Sequence, residues 1–393
     1  MKVSAVICEF NPFHNGHEYL LSAVRSGGAT HIAAIMSGNF TQRGEPAIID
    51  KYTRTRTALT GGADIVIELP VSFAAGWAQR FARGGIGIAD ALGVVDELAF
   101  GSECGKTDIL HKAAQALDSS TFSDALKQYL AKGMTFAAAR EAAVHELSGK
   151  ESSAVLANPN DILAVEYIRA LSELGSSISP KPYKRLGASH DSMISDSGTA
   201  SASLIRERMI NGGDWCSFVP EYAKDIYRDS DIPSVGRRSK LETAMLYRLR
   251  SMSVQELSQL PLVSEGLENR LYSAIKNGCS VDDIIASVKT KRYTHARIRR
   301  ILLYALLGFT SDGLSKNVQY IRVLGMNSRG REILKAAQNI SKLPIITRAA
   351  EAASLGAAAS DFALETKCDD IYALTAGKIL PCGGNCTEKM III

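Results

Sequence analysis

The chain has 393 residues, of which 46% are hydrophobic and 22% are charged, and its formal net charge is +4. These proportions are typical of a globular protein with a sizeable core, and the length predicts two or three domains. The small net charge excludes nucleic-acid binding through a global positive field, so any such binding requires a local basic patch.

The sequence lacks the signals of a membrane or secreted protein. No segment reaches the roughly 18 to 20 unbroken apolar residues of a membrane span. Residues 1–8 run straight into Glu9 without the small-residue cleavage site of a signal peptide. The seven cysteines are odd in number and mostly scattered, which argues against a disulfide framework. We therefore expect a cytoplasmic protein without membrane contact.

Metal binding is not expected either. Cys382 and Cys386 lie close together, but two thiols with no histidine after them do not make a zinc site. The sequence therefore predicts no metal held by protein ligands.

The first 100 residues alternate short apolar runs with stretches of helical length. Strands are predicted at residues 3–8, 32–36, 64–70 and 97–101. Helices are predicted between them, at residues 16–25, 46–59 and 75–92. Because the runs are continuous rather than alternating, the strands are expected to be buried on both faces. This rhythm predicts an α/β, Rossmann-like fold with a parallel sheet, in which ligands bind at the carboxyl ends of the strands.

The rest of the chain is mainly helical. Helices are predicted at residues 108–147, 162–171, 201–209 and 240–307, with a further strand at 177–186. Turn residues at 211–214 and a linker-like segment at 229–233 indicate a boundary. We therefore predict one domain at 1–215 and a second at 230–393, mainly helical with a small α/β element over 319–347.

A His-x-Gly-His segment joins the first predicted strand to the first predicted helix. His14 and His17 are three residues apart, so at a helix start they face the same way. Gly16 removes a side chain that would block a close-approaching phosphate. The helix N-terminus adds free N–H groups and a positive dipole end. Two imidazoles there can hydrogen-bond a phosphate whose charge grows during displacement, so we interpret both histidines as catalytic.

The sequence allows two other interpretations of this pair. In the first interpretation, the histidines are two unrelated residues at a helix start. Their position directly after a strand disfavours this interpretation. They bind zinc in the second, but helical zinc pairs usually have a spacing of four and a third ligand, which the sequence does not offer here.

A second segment places hydroxyls at a helix start and a guanidinium one turn later. Ser201 and Ser203 precede Arg206. The serines are good helix caps, and the same N–H groups, hydroxyls and Arg206 can hold the β- and γ-phosphates while pyrophosphate leaves. The two roles are compatible, and we interpret Arg206 as catalytic.

These two segments resemble the HIGH and Ser/Thr-x-x-Arg signatures of the nucleotidyltransferase superfamily. The resemblance narrows to one family, the bacterial tRNA(Met) cytidine acetate ligases. It rests on residues 8–17 (CEFNPFHNGH), 36–46 (MSGNFTQRGEP), 61–70 (GGADIVIELP), 100–103 (FGSE) and 158–163 (NPNDIL). It covers about the first 210 residues specifically and the helical part more loosely. At Asp161 the family pattern leads us to expect Asn, and the tail after residue 369 shows no resemblance.

The resemblance implies a two-step reaction. Acetate attacks the α-phosphate of ATP, giving acetyl-adenylate and pyrophosphate, and the exocyclic amine of the wobble cytidine in elongator tRNA(Met) then takes the acetyl group. Mg²⁺ accompanies the ATP, and acetyl-CoA is not needed. The residues expected to bind ATP are Ile7, Cys8, Glu9, Phe10, Asn11, Pro12, Phe13, His14, Asn15, Gly16, His17, Leu20, Gly101, Asn160, Arg185, Ser201 and Ser203. Gly101 is also readable as a turn glycine, and Asn160 and Arg185 as a helix cap and a surface charge.

A polar loop follows the second predicted strand and lies on the ligand edge of the sheet. We interpret it as a substrate-side loop that closes over acetate or the cytidine. Its candidate residues are Ser37, Gly38, Asn39, Gln42 and Arg43. The alternative is a long surface connection.

A basic run in the C-terminal half suits an RNA backbone. Its candidate residues are Lys289, Lys291, Arg292, Arg297, Arg299 and Arg300. The alternative is the solvated face of a helix, and the RNA substrate implied by the family favours RNA contact. Lys51, Arg54 and Arg56 form a weaker candidate patch.

Two other functions remain open from the sequence. An adenylyltransferase that makes a nucleotide cofactor would share His14, His17 and Arg206, but has little use for the basic run. A nucleotide-binding RNA adaptor without catalysis would not need both histidines.

Overall fold

The computed structural model describes residues 1–185, 200–230, 237–264 and 266–393. Within these ranges the chain forms one sheet of eight strands. The strands are β1 (Val3–Cys8), β2 (His31–Ser37), β3 (Ile65–Leu69), β4 (Glu97–Ser102), β5 (Ser179–Lys184), β6 (Ile321–Met326), β7 (Ile345–Ile346) and β8 (Ile391–Ile392).

The α-helices of the described ranges are α1 (Asn15–Ser26), α2 (Lys51–Thr60), α3 (Val71–Ala74), α4 (Ala78–Leu92), α5 (Thr107–Asp118), α6 (Phe122–Ala131), α7 (Phe136–Ser148), α8 (Lys150–Ala154), α9 (Pro159–Glu173), α10 (Ala202–Asn211), α11 (Glu221–Arg228), α12 (Arg237–Lys240), α13 (Glu242–Arg250), α14 (Val254–Ser258), α15 (Leu267–Asn277), α16 (Val281–Val288), α17 (His295–Leu307), α18 (Ser328–Ala337), α19 (Ala359–Ala373) and α20 (Gly384–Thr387). Short 3₁₀ helices lie at Val155–Ala157, Cys216–Phe218, Ala349–Ser354 and Gly356–Ala358.

The sheet is mainly parallel. Its strand order is β5-β4-β1-β2-β3-β6-β7, and β8 pairs with β6. The first five strands pair in parallel, whereas β6 is antiparallel to β3. The predicted fold class is therefore confirmed, and the carboxyl ends of β1, β2 and β4 meet at one edge.

Every residue of β1, β2 and β3 is buried, as the continuous apolar runs predicted. One face of the sheet packs on helices that include α4, α5 and α9, and the other packs on α1, α2, α10 and α11. The predicted start of the second helix was early, because α2 begins at Lys51 rather than at residue 46. Asp50 caps it by accepting the backbone N–H groups of Tyr52 and Thr53, both at 2.9 Å.

The C-terminal part contributes both a helical core and strands. Helices α13 to α17 bury a core of their own, with Leu249, Leu271 and Leu302 among its members. Strands β6, β7 and β8 nevertheless extend the sheet that the N-terminal part begins. The division into 1–215 and 230–393 stays a prediction, and residues 231–233 of its linker lie outside the described ranges. No helix in those ranges has the length and apolar character that crossing a bilayer requires.

Candidate active site

The turn between β1 and α1 builds a platform for the two histidines. Phe10 takes a positive φ of 46°. Non-glycine residues rarely adopt this backbone conformation, and those that do often lie at functional sites. Its ring lies edge-on to Phe13 and to His17, each with centroids 4.9 Å apart. Tyr227 donates its hydroxyl to the Phe13 carbonyl and accepts the Phe13 N–H at 2.9 Å. The rings of Phe10 and Phe13 therefore pack against His17, one of the two histidines.

A capping box fixes the protonation sites of His14 and His17. Nδ1 of His14 accepts the Gly16 N–H at 3.1 Å, and Nδ1 of His17 accepts the His14 N–H at 3.3 Å. A ring nitrogen that accepts a hydrogen bond carries no proton, so each neutral imidazole has its proton on Nε2. The rings are stacked, with centroids 3.7 Å apart and an interplanar angle of 23°. The helix start therefore presents two adjacent Nε2–H donors.

Both histidines are held in the neutral form. Burial, followed by the charges of Arg185 and Arg206, lowers the pKa of His14 to about 3. Burial, followed by His14 and Arg185, also lowers the pKa of His17 well below its usual value. Because Arg185 and Arg206 both act on His14, the structure brings the three sequence-predicted parts of the site together.

The low pKa of His14 predicts a pH-dependent stability. The unfolded imidazole has a pKa near 6.5, so between about pH 6.5 and 3 the unfolded state binds more protons and stability falls as the pH falls. We expect His14 to contribute a loss of about 1 kcal/mol between pH 7.5 and 5.5. Urea unfolding at both pH values should show a smaller loss in His14→Gln than in the wild type. Equal losses in the two proteins would contradict the neutral, buried state.

Gly16 is required by the His14 ring. A Cβ at this position would lie 3.0 Å from Cε1 and 3.2 Å from Nδ1 of His14. We expect Gly16→Ala to push the ring out of its stack and to lower the rate of phosphate chemistry by about tenfold, because displaced donors stabilise the transition state less well. The measurement is the steady-state rate of ATP–pyrophosphate exchange. Gly384→Ala is the control, since its Cβ would meet nothing within 4 Å; equal rates in the two variants would contradict this role.

A second corner of the site is built around Arg206. Its Nη1 donates to the Asn11 carbonyl at 2.7 Å, and its Nη2 donates to the Ser203 hydroxyl at 3.2 Å. Arg43 donates to the same hydroxyl at 2.8 Å, and Ser201 caps α10 by accepting the Leu204 N–H. Burial, followed by the charge of Arg43, lowers the pKa of Arg206. Two guanidinium groups thus converge on one hydroxyl beside the first turn.

A third corner lies at the end of β4. Arg185 donates to the Asn160 Oδ1 at 3.5 Å, and its side chain covers Gly101, where a Cβ would lie 3.3 Å from the Arg185 Cγ. Asp161 is fully buried and accepts the Ser102 hydroxyl at 2.5 Å and the Glu103 N–H at 2.9 Å. Asp161 therefore shapes the loop after β4.

Three predicted ATP-binding residues use their side chains in the core. Ile7 packs against α4, and the Cys8 Sγ lies 3.7 Å from the Ile35 carbonyl oxygen. Leu20, on α1, is partly buried against the core between α1 and the sheet. Asn11 accepts the Ile48 N–H at 2.9 Å, and Asn15 donates to the Ser217 carbonyl at 3.3 Å. For these five residues, contact with a nucleotide stays a prediction.

The substrate loop divides into two parts. Gln42 and Arg43 lie beside the site, because the Gln42 N–H donates to Glu9 Oε1 at 2.7 Å and Arg43 reaches Ser203. Asn39 points inward, where it donates to Asp369 at 2.9 Å and accepts the Lys51 N–H at 2.8 Å. Its side chain has both polar ends engaged and is 6% exposed, so the structure uses Asn39 within the protein.

The basic run also divides. Lys289, Lys291 and Arg292 lie exposed in the segment between α16 and α17. The other three turn toward the protein. Arg297 donates to the Leu262 carbonyl at 2.7 Å, and Arg299 pairs with Glu45 at 3.1 Å. Arg300 donates to the Gln42 carbonyl at 2.7 Å, so α17 supports the substrate loop.

The weaker basic patch on α2 was wrong for two of its three residues. Lys51 and Arg54 are fully buried, and only Arg56 is exposed. Lys51 belongs to a buried charge network of Lys51, Glu68, Arg322 and Asp369. Its ammonium lies 2.5 Å from Glu68 and 2.6 Å from Asp369. This network joins α2 and β3 to the C-terminal helix α19.

Arg54 is a residue of the site that the sequence did not single out as such. Its guanidinium donates to the carbonyls of Ile49 at 2.8 Å, Glu9 at 2.7 Å and Ser37 at 2.9 Å, and also to the Gly38 carbonyl. One side chain thereby ties the ends of β1 and β2 to the substrate loop. A basic residue on the polar face of a predicted helix gives no signal of such a role.

The chain matches known proteins of one family along most of its length. The HIGH Nucleotidyl Transferase family model matches residues 1–381. A tRNA(Met) cytidine acetate ligase of Thermoanaerobacter sp. (strain X514) is 39% identical over 384 residues, which span 95% of this chain and 95% of that protein. The chain belongs to the tRNA(Met) cytidine acetate ligase family. Another member, from Clostridium perfringens (strain ATCC 13124), is 36% identical over 371 residues, with 90% and 91% of the two chains covered.

Solved structures of the family share the whole fold. The crystal structure of Thermotoga maritima TmcAL bound with alpha-thio ATP superposes with a TM-score of 0.91 at 31% identity, and the apo form with 0.93 at 32%. Each alignment covers 100% of both chains. The family predicted from residues 8–17 and the other matching segments is confirmed, and with it the enzyme class, a ligase on the HIGH nucleotidyltransferase fold.

Proposed function

We propose that this enzyme activates acetate with ATP and transfers the acetyl group to the exocyclic amine of the wobble cytidine of elongator tRNA(Met), giving N4-acetylcytidine. The observation that carries the proposal is the pair of stacked, neutral histidines beside Arg185 and Arg206 at the carboxyl edge of the sheet. This edge is where α/β folds bind nucleotides. We place the reaction in the cytoplasm, which the seven free cysteines support.

The first step joins acetate to the α-phosphate. An acetate oxygen attacks the α-phosphorus, the bond from that phosphorus to the bridging oxygen breaks, and pyrophosphate leaves with the electron pair. Acetate is already an anion, so the step needs no general base. It needs donors where negative charge develops, and the Nε2–H groups of His14 and His17 with the guanidinium of Arg206 are suited to that. Arg185 and Asn160 are proposed to hold the rest of the nucleotide.

The second step transfers the acetyl group. The amine nitrogen of the cytidine attacks the acetyl carbon, and AMP leaves with the oxygen that acetate supplied. The loop carrying Gln42 and Arg43 contacts Glu9 and Ser203 and is proposed to close over acetate or the cytidine. The cytidine has to leave its stack to reach the adenylate, as in other base-modifying enzymes.

Mg²⁺ is proposed as the companion of ATP. Within the described ranges, no group of three His, Cys, Asp or Glu side chains is arranged to hold a metal ion. We propose that the ion arrives with the nucleotide and is coordinated mainly by phosphate oxygens and water. The charge of this ion would add to that of Arg185 and Arg206.

We propose that tRNA contacts the exposed part of the basic run. Replacing Lys289 and Lys291 together by Ala is expected to weaken tRNA binding, most strongly at low salt, and to make the slope of log K against log [salt] shallower by roughly 1 to 2, because each lysine releases about one counterion. Filter binding between 50 and 300 mM salt, roughly the range over which such contacts weaken, measures it. Lys127→Ala with Lys132→Ala, exposed and on the α6 side of the fold, is the charge-matched control. Equal slopes in all three proteins would place the tRNA elsewhere.

Exchange of labelled pyrophosphate into ATP tests the first step, with acetate present and RNA absent. Exchange that requires acetate supports an acetyl-adenylate intermediate. No exchange, with or without added tRNA, would contradict the proposed function. A panel of other small carboxylic acids tests whether acetate is the substrate.

A further inference from the structure

Glu9 stands at the centre of the ligand edge. It follows the last residue of β1, and because Cys8 is in register with Met36, it lies level with Ser37 at the end of β2. Its carbonyl accepts Arg54 Nη1, and its Oε1 accepts the Gln42 N–H at 2.7 Å. The side chain is half-buried, and its Oε2 accepts no hydrogen bond from any described residue. One carboxylate oxygen is thus left for a ligand.

The neighbouring acids are already engaged. Both carboxylate oxygens of Glu103 are bound, one by the Asn160 side chain at 2.5 Å and the other by the Asp161 N–H at 3.0 Å. Glu45 is paired with Arg299. The two acids of the buried charge network face Lys51. Glu9, by contrast, forms no ion pair with any residue that the structure describes.

The histidines are not available as bases. The Nδ1 atoms of His14 and His17 already accept backbone N–H groups, and their Nε2 atoms carry the protons. Neither ring has a lone pair left to receive another proton. The charged and titratable groups that interact electrostatically with Glu9 include Arg54 on α2, Arg206 on α10, Arg300 on α17, Tyr167 on α9 and Cys8 on β1.

The second step of the proposed function requires such a base. When the cytidine amine bonds to the acetyl carbon, its nitrogen becomes positively charged and has to lose a proton before the amide is stable. We propose that Glu9 is the general base of acetyl transfer and that its Oε2 takes this proton. This inference rests on the proposed function and names the group that completes it.

Acetyl transfer forms one bond, breaks one bond and moves one proton. The nitrogen lone pair forms the new C–N bond, and the bond from the acetyl carbon to the phosphate oxygen breaks. AMP leaves with that electron pair, the amine proton moves to Glu9, and the resulting carboxylic acid returns the proton to solvent.

The Glu9→Gln variant separates this role from a structural one. The glutamine amide oxygen still accepts the Gln42 N–H, so the loop contact is kept, but the amide does not act as a base. Acetyl transfer from purified acetyl-adenylate to tRNA, followed in single turnovers, is expected to fall by about 10² to 10⁴-fold. Acetate-dependent pyrophosphate exchange is expected to fall far less, so acetyl-adenylate accumulates on the variant.

Two further variants complete the test. Glu9→Asp keeps a carboxylate and is expected to recover part of the transfer rate that Glu9→Gln loses. Glu18→Gln, on α1 nearby, is the matched control and is expected to transfer normally. Equal losses of exchange and transfer in Glu9→Gln, or intact transfer, would overturn the role of Glu9. Failure of exchange in the wild type would instead overturn the proposed function.

Discussion

Replacing His17 by Ala is expected to lower acetate-dependent pyrophosphate exchange by at least about 100-fold, because one of two adjacent Nε2–H donors is removed from the position where charge develops. Both rings are neutral, so His17 acts as a hydrogen-bond donor and not as a positive charge. The positive charge of a neighbouring arginine therefore does not replace the lost donor. Initial rates of exchange at saturating ATP and acetate measure it, together with the circular dichroism spectrum of the purified variant.

Two controls accompany the His17 experiment. His17→Gln keeps an acceptor for the His14 N–H at the third position of the helix, where glutamine is a good capping residue. The helix start is therefore preserved, but the hydrogen-bond donor is moved. It is expected to be folded and slow. His145→Ala, exposed on α7, is expected to exchange at the wild-type rate. A folded His17→Ala enzyme with full exchange activity would contradict the assigned site.

Replacing Arg54 by Met is expected to destabilise the protein by about 3 kcal/mol and to abolish exchange. The side chain is fully buried and donates to carbonyls of four different residues, and these would lose their partners in an apolar environment. The ends of β1 and β2 and the substrate loop would no longer be tied together. Urea unfolding measures the stability, and exchange measures the site.

Arg56→Met is the matched control for this change. Arg56 lies two residues further along α2 and is exposed, so the same substitution there is expected to alter the unfolding free energy by less than about 0.5 kcal/mol. Similar stabilities of the two variants would show that the buried guanidinium does not organise the edge of the sheet.

The parts of the fold that follow local rules were predictable from the sequence. The strands of the first half are short continuous apolar runs, and a parallel sheet buries such runs on both faces. The position of His14 and His17 at the start of the first helix was predictable because their spacing, the glycine between them and their place after a strand are all local. The same holds for Arg206, one turn after a serine-capped helix start.

The parts of the structure that depend on contacts between distant segments were not predictable from the sequence. Nothing in residues 321–326 reveals that this strand pairs antiparallel with β3, because its partner lies over 250 residues away along the chain. Lys51 and Arg54 look like solvated helix charges until Asp369 and the carbonyls of other segments are placed beside them. Arg300 likewise appeared to belong to an RNA-facing run, and its partner is the Gln42 carbonyl. In each case the deciding partner comes from another part of the chain.

Transfer of an oxygen atom from acetate to AMP tests the central claim most directly. The enzyme is incubated with acetate labelled with ¹⁸O in both oxygens, ATP and elongator tRNA(Met), and the nucleotide products are examined by mass spectrometry. If acetate attacks the α-phosphate, AMP carries one ¹⁸O atom for each acetylcytidine formed, and pyrophosphate carries none. Label in inorganic phosphate with ADP as the product, or AMP without label, would contradict an acetyl-adenylate intermediate.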